Sequence, residues 1–206
     1  FLDSTKLRDG ELSQAEEQLL KRVVEDFEQG SLSGEYGRLI IERPTSDITI
    51  PEIRTKAEIE HKKAPLGLLI ADHAGLIENE KGRSVNNYGM SLNYVLKDLS
   101  QLALNFNNGE GIPVCTPFQA NREGWKAACK EDGVYKLDAL SWANEAERSA
   151  SVIVSTFLGD TPKYRDLGQV KIGCLKNRDG EFFRPSEASV NFSTRRISNF
   201  IDVPAG

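Results

Sequence analysis

The sequence predicts an α/β protein, a mostly parallel sheet with antiparallel strands at its C-terminal end. Three observations carry this. Short apolar runs alternate with helical periods through the first 175 residues, the pattern of strand–helix–strand units. The run in Leu66–Ile77 (LGLLIADHAGLI) has four consecutive apolar residues, Leu68 to Ala71, and halts at Asp72, as a strand buried on both faces does. After Gln169 the helical periods give way to short alternating segments around a Lys176-Asn177-Arg178-Asp179-Gly180 turn.

The elements follow in order. Over residues 12–28, Leu19, Leu20, Val23, Val24 and Phe27 keep helical spacing, and Ser13 with Glu16 has the form of a capping box. Residues 29–37 are Gly/Ser-rich and read as a loop, and Arg38–Ile41 as a short strand halted by Pro44. Thr49, Pro51 and Glu52 open a helix over about residues 50–62 with Ile53, Ala57 and Ile59 inward. The Leu68–Asp72 strand comes next, then a polar loop over 78–87. A strong helix follows, on Leu92, Leu96, Leu99, Leu102, Ala103 and Phe106, ended by Asn107-Asn108-Gly109. Ile112–Phe118 is a second buried strand, closing on Gln119. Residues 122–137 show no apolar period and read as a long loop, and 138–149 as a short helix. Ser151–Leu158 and Gln169–Leu175 are strands, and Ser189–Phe192 with Arg196–Phe200 an antiparallel pair.

Composition narrows the class. With 206 residues, 39% hydrophobic and 28% charged, the chain suits one soluble globular domain, expected to span 1–206. No apolar run reaches membrane-span length, and the polar N-terminus does not read as a signal peptide. Three cysteines (Cys115, Cys129, Cys174) without a CxxC spacing indicate neither zinc nor disulfides. Cys115 and Cys174 lie in apolar runs and read as small core residues, and a reducing cytoplasm fits. The net charge of −5 argues against a general nucleic-acid coat while leaving room for a local basic site.

Asp72 is the first candidate for chemistry. A carboxylate at the carboxyl end of a buried parallel strand sits at the crevice where open α/β sheets bind ligands, and in nucleoside triphosphatases it holds magnesium. The other reading of the pattern is a strand whose last residue caps a turn. His73 reads as a structural hydrogen bonder.

The order of segments resembles the C-terminal ATPase domain of the DnaB family of ring-shaped replicative helicases, a RecA-like P-loop NTPase fold. LLIADHAGLI resembles that family's Walker B strand, and NYVLKDLSQLALNFNNGEGIPVCTPFQANRE its helix and strand ending in SQLNRE. DALSWANEAERSASVIV, KIGCLKNRDG and STRRISNF are similar to its three closing segments, and KLRDGEL and TIPEIR to segments ahead of Walker B. The GxxxxGK[ST] phosphate loop is not in this chain. The resemblance places it upstream of Phe1, so the chain reads as the C-terminal portion of a motor and is expected not to hydrolyse ATP alone.

The resemblance implies ATP and Mg2+ as cofactors of the intact protein. It makes Asp72 the magnesium-positioning residue and Gln119 the sensor of the terminal phosphate, with Phe118 departing from the family's Ser. Lys176 and Arg178 alternate across Asn177 and so project from one side of an extended segment. The resemblance has them act in trans on a neighbour's triphosphate, Arg178 as an arginine finger. Without it, they are a solvated turn. Arg122, Ser141, Trp142 and Asn144 fall where the family contacts nucleic acid. Trp142 either stacks on a base or is buried against a helix. Lys126, Lys130, Lys136, Lys81 and Arg83 are candidates for backbone contacts or solvated surface. The implied partners are single-stranded DNA, further copies in a hexameric ring, and a primase or helicase loader. The substitutions suggest a phage or mobile-element relative. The alternatives are a recombinase- or clock-type RecA-fold ATPase, and an inactive DNA-binding or assembly module.

Overall fold

The computed structural model describes residues 1–44, 47–79, 88–140, 144–159 and 167–202. Helix α1 (Ser4–Asp9) leads into α2 (Gln14–Ser33). The predicted capping box forms: the Ser13 amide and hydroxyl donate to the Glu16 carboxylate, and Ser13 Oγ accepts from the Glu16 amide. These bonds, aided by Lys6, hold the Glu16 carboxyl down at about 2. The helix runs through the 29–33 stretch expected as loop, because Gly30 lets the Tyr36 ring pack where a Cβ would stand, 2.3 Å away. The expected strand at Arg38–Ile41 does not form. No neighbouring strand among the described residues offers it a ladder, and Leu39 and Ile41 lie exposed.

Helix α3 (Ile50–Lys63) starts as predicted, with the Glu52 carboxylate accepting from the Thr49 amide and hydroxyl. Ile50 and Ala57 are buried, whereas Ile59 falls off that stripe and is exposed. Helix α4 (Tyr88–Asn105) buries Leu92, Val95, Leu96, Leu99 and Leu102, and with α3, Ile77, Phe106 and Ile112 it forms the main core. Its predicted stop is present: Asn107 and Asn108 both take positive φ.

Strands β1 (Leu69–Ile70) and β2 (Val114–Cys115) pair in parallel, Leu69 opposite Val114 and Ile70 opposite Cys115. The expectation of burial on both faces is corrected. Leu69 and Val114 pack against the core, while Leu68, Ile70 and Cys115 are exposed on strands that no described element covers from the other side. Cys115 is therefore not a core residue.

Residues 122–130 form a helix, α5 (Arg122–Lys130), where a loop was expected. Its buried face is made of small residues: Gly124 approaches Ala139 so closely that a Cβ would lie 2.4 Å from Ala139 Cα, and Ala128 packs with Phe157. Such a stripe contributes little to an apolar period, which is why the sequence concealed it. Helix α6 (Asn144–Ser149) packs on α4.

Strands β3 (Val152–Phe157), β4 (Gln169–Asn177), β5 (Ser186–Asn191) and β6 (Arg196–Asp202) form an antiparallel meander in that order. The sequence reading put the Leu68–Asp72, Ile112–Phe118, Ser151–Leu158 and Gln169–Leu175 strands in one sheet. Instead, among the described residues, the parallel pair and the antiparallel meander are separate sheets, joined through α5 and α6 rather than by a ladder. The class itself, a parallel sheet followed by antiparallel strands, stands as predicted.

Candidate functional site

The parallel pairing fixes where Asp72 and Gln119 emerge. Asp72 lies two residues beyond β1 and Gln119 four beyond β2, so both leave the same carboxyl edge. Thr116, which the sequence reading overlooked, secures this edge. Its hydroxyl donates to the Ala71 carbonyl (2.8 Å) and accepts from the Ala74 amide (3.0 Å), bracketing Asp72 from both sides. His73 plays the structural part expected of it, its Nδ1 accepting from the Gly75 amide (3.1 Å). The Asp72–His73 peptide is cis. Asp72, Gln119 and Arg122 are exposed, and no hydrogen bond or ion pair engages their side chains among the described residues.

Asn121 has a clear structural role. Its Oδ1 accepts from the Gly124 amide (2.7 Å) to cap α5, and its Nδ2 donates to the Ala139 carbonyl (2.7 Å). An Asn followed by an acidic first turn is a cap signature that could have revealed α5 in the sequence. At the other end of α5, the buried Lys171 of β4 donates to the Asp132 carbonyl (2.6 Å) and pairs with its carboxylate (2.8 Å). Helix α5 thus links the segment after Gln119 to the strand that carries Lys176 and Arg178.

Lys176 and Arg178 point one way, as their alternation predicts. Lys176 Nζ donates to the Glu147 carbonyl and the Arg178 guanidinium to the Arg148 carbonyl (2.8 Å), at the C-terminal end of α6. The turn is closed by Asn177, whose side chain donates to the Glu181 carbonyl (2.8 Å). The two cations are not brought against Asp72 or Gln119 by any described contact within this subunit.

Of the nucleic-acid candidates, Ser141 and Trp142 lie outside the described residues, as do Lys81 and Arg83. Asn144 begins α6. Lys126 pairs with Glu123 (3.2 Å) and Lys136 with Glu131 (2.5 Å), whose carboxylate raises the Lys136 pKa, so both lysines are surface ion-pair members.

No group of three or more His, Cys, Asp or Glu side chains that could hold a metal occurs among the described residues. The donor set at the sheet edge is a lone exposed carboxylate, Asp72. One carboxylate supplies too few donors to cage a cation with protein groups alone.

No protein-family model and no curated protein sequence matches the chain. Solved structures do. The chain is similar to a DnaB-like replicative helicase whose structure was described with its interactions with primase, at a TM-score of 0.72 and 15% identity. It is also similar to a second solved structure, described as an ATPase domain, at a TM-score of 0.74 and 15% identity. Each match covers 96% of this chain, but only 44% of the first chain and 66% of the second. No helix among the described residues is long and apolar enough to cross a membrane. The fold is therefore that of a RecA-like P-loop NTPase core, and the chain spans 44% and 66% of these two structures.

Proposed function

We propose that this chain is part of the motor domain of a DnaB-type replicative helicase, coupling ATP hydrolysis to movement along single-stranded DNA. The observation that carries the reading is the common carboxyl edge of β1 and β2, from which Asp72 and Gln119 both emerge. Asp72 would hold the magnesium of a bound nucleotide through its carboxylate. Gln119 would donate its amide to the terminal phosphate, a neutral donor whose partner disappears on hydrolysis. Lys176 and Arg178 would serve the nucleotide of an adjacent copy, which fits their lack of any described contact with Asp72 and Gln119 in their own subunit. Arg122 and the segment from Ser141 to Asn144 would face nucleic acid.

Several further features belong to the same reading: a hexameric ring, a primase or loader as partner, a cytoplasmic setting, and a phage or mobile-element origin. On this reading the phosphates of the nucleotide would be cradled outside this chain, which contains no GxxxxGK[ST] motif. The exposed Leu68, Ile70 and Cys115 offer apolar surface for such a part to cover.

The test is hydrolysis by the intact protein. Asp72→Asn should lower the DNA-stimulated ATPase rate by at least about a hundredfold, with the fold retained by circular dichroism. A normal rate in Asp72→Asn would remove the carboxylate from the mechanism. The 206-residue chain alone should show no micromolar nucleotide affinity by calorimetry.

A further inference from the structure

Helix α6 is only six residues long, too short to persist without outside support. Side chains from two other elements hold its ends. At the start, the Glu145 amide donates to Asn93 Oδ1 of α4 (3.1 Å). At the finish, Lys176 and Arg178 donate to the carbonyls of Glu147 and Arg148. Last-turn carbonyls have no donors within their own helix, and aligned peptide dipoles make that end partly negative, so two cations match it well. The backbone amide of Arg178 also donates to the Ser151 carbonyl (2.9 Å), joining the end of β4 to the residue that enters β3. The cations assigned above to a neighbour's triphosphate are thus already in use inside their own subunit.

We infer that the C-terminal end of α6 and a polyphosphate compete for Lys176 and Arg178, so that a polyphosphate engaging this pair loosens α6. The inference rests on the proposed reading of the pair as phosphate ligands. The donors that hold the α6 carbonyls cannot at the same time be given to a phosphate held by a second copy. Hydrogen bonds to an ionised phosphate are roughly twice as strong as those to a neutral carbonyl, so the exchange runs toward the phosphate when it is present. Coupling of this kind is reciprocal: whatever loosens α6 strengthens polyphosphate binding by the same factor. The occupancy of the phosphate site thereby reaches the helix that begins at Asn144, one of the residues proposed to face nucleic acid.

The test is amide hydrogen exchange on the 206-residue chain, with sodium tripolyphosphate as probe and sodium chloride at matched ionic strength as control. Without probe, the double variant Lys176→Met/Arg178→Gln should raise exchange at the amides of 148–150 severalfold, leaving Ile172 and Cys174 in β4 unchanged. Tripolyphosphate should raise exchange at the same amides in the unmodified chain and do nothing in the double variant. Asn93→Ala, which frees the other end of α6, should bind tripolyphosphate about two- to twelvefold tighter, the worth of one ordinary hydrogen bond.

If tripolyphosphate leaves α6 unchanged or protects it in the unmodified chain, the competition is overturned, and that arm needs no variant to fold. If the double variant exchanges normally, the cations do not hold α6 and the inference equally falls. Failure of the neighbour-acting reading would appear elsewhere, in the ATPase activity of mixed subunits, and so is distinguishable from both results.

Discussion

At the ends of β1 and β2, Asp72 and Gln119 stand exposed with no side-chain partner among the described residues. At the end of β4, Lys176 and Arg178 are both committed to carbonyls of α6. The scaffolds differ as well. The carboxylate side rests on a parallel pair backed by α3 and α4, with Phe106 and Leu102 fully buried. The cation side rests on an antiparallel meander whose small core centres on Phe157 and Ala128. On the proposed reading, a nucleotide site divided between these two regions would be complete only when two subunits meet.

The largest expected effect breaks the cation side. In the intact protein, Arg178→Ala should cut hydrolysis on the order of a thousandfold or more while leaving nucleotide affinity nearly unchanged, because a finger acts on charge that develops in the transition state. ATPase rates and equilibrium binding measured on the same preparation check both halves.

The carboxylate side should break through its core. Phe106→Ala removes a fully buried ring and should cost about 3–5 kcal/mol of stability, read by denaturant unfolding. The link between the sides is tested by Lys171 and Asp132. Lys171 is buried and Asp132 is exposed, so the two partners are not equivalent. Asp132→Asn leaves a buried ammonium short of its counter-charge and should cost about 2 kcal/mol, whereas Lys171→Met removes the charge that had to be buried and should cost less than half of that.

The smallest effect concerns the start of α2. The Glu16 carboxyl sits near 2 in the folded chain against an ordinary 4.5. A depressed carboxyl contributes stability that is fully present above 4.5 and is lost as pH falls toward 2. Exchange at the first-turn amides of α2 should therefore gain an acid-side increase over that window, and Glu16→Gln should abolish it.

The fold was legible in the sequence where one strong local signal decided each element. The capping residues Ser13 and Thr49, the leucine period of α4 and its Asn107-Asn108 stop all form as read. Helix α5 was not legible, because Gly124 and Ala128 bury it without an apolar stripe. The strand at Arg38–Ile41 failed for a different reason: a strand needs a partner, and no run of residues states its own neighbour. The placement of the candidate residues was legible in the same measure. The positions of Asp72 and Gln119 at one edge follow from strand pattern, as does the shared direction of Lys176 and Arg178. Thr116 and Asn93 are single polar residues whose partners lie 42 and 52 positions away in sequence, beyond the reach of any local pattern, whereas the Asn121 cap of α5 is local and could have been read.

The measurement that bears most directly on the central claim mixes two inactive proteins. Arg178→Ala subunits keep an intact carboxylate edge, and Asp72→Asn subunits keep an intact Arg178. If Arg178 acts on the neighbour's nucleotide, mixing the two full-length variants with single-stranded DNA creates some interfaces with both groups present, and ATPase activity rises well above either variant alone. Activity that stays at the level of the separate variants at every mixing ratio, in assemblies shown to contain both, would contradict the claim and leave Lys176 and Arg178 as the cap of α6.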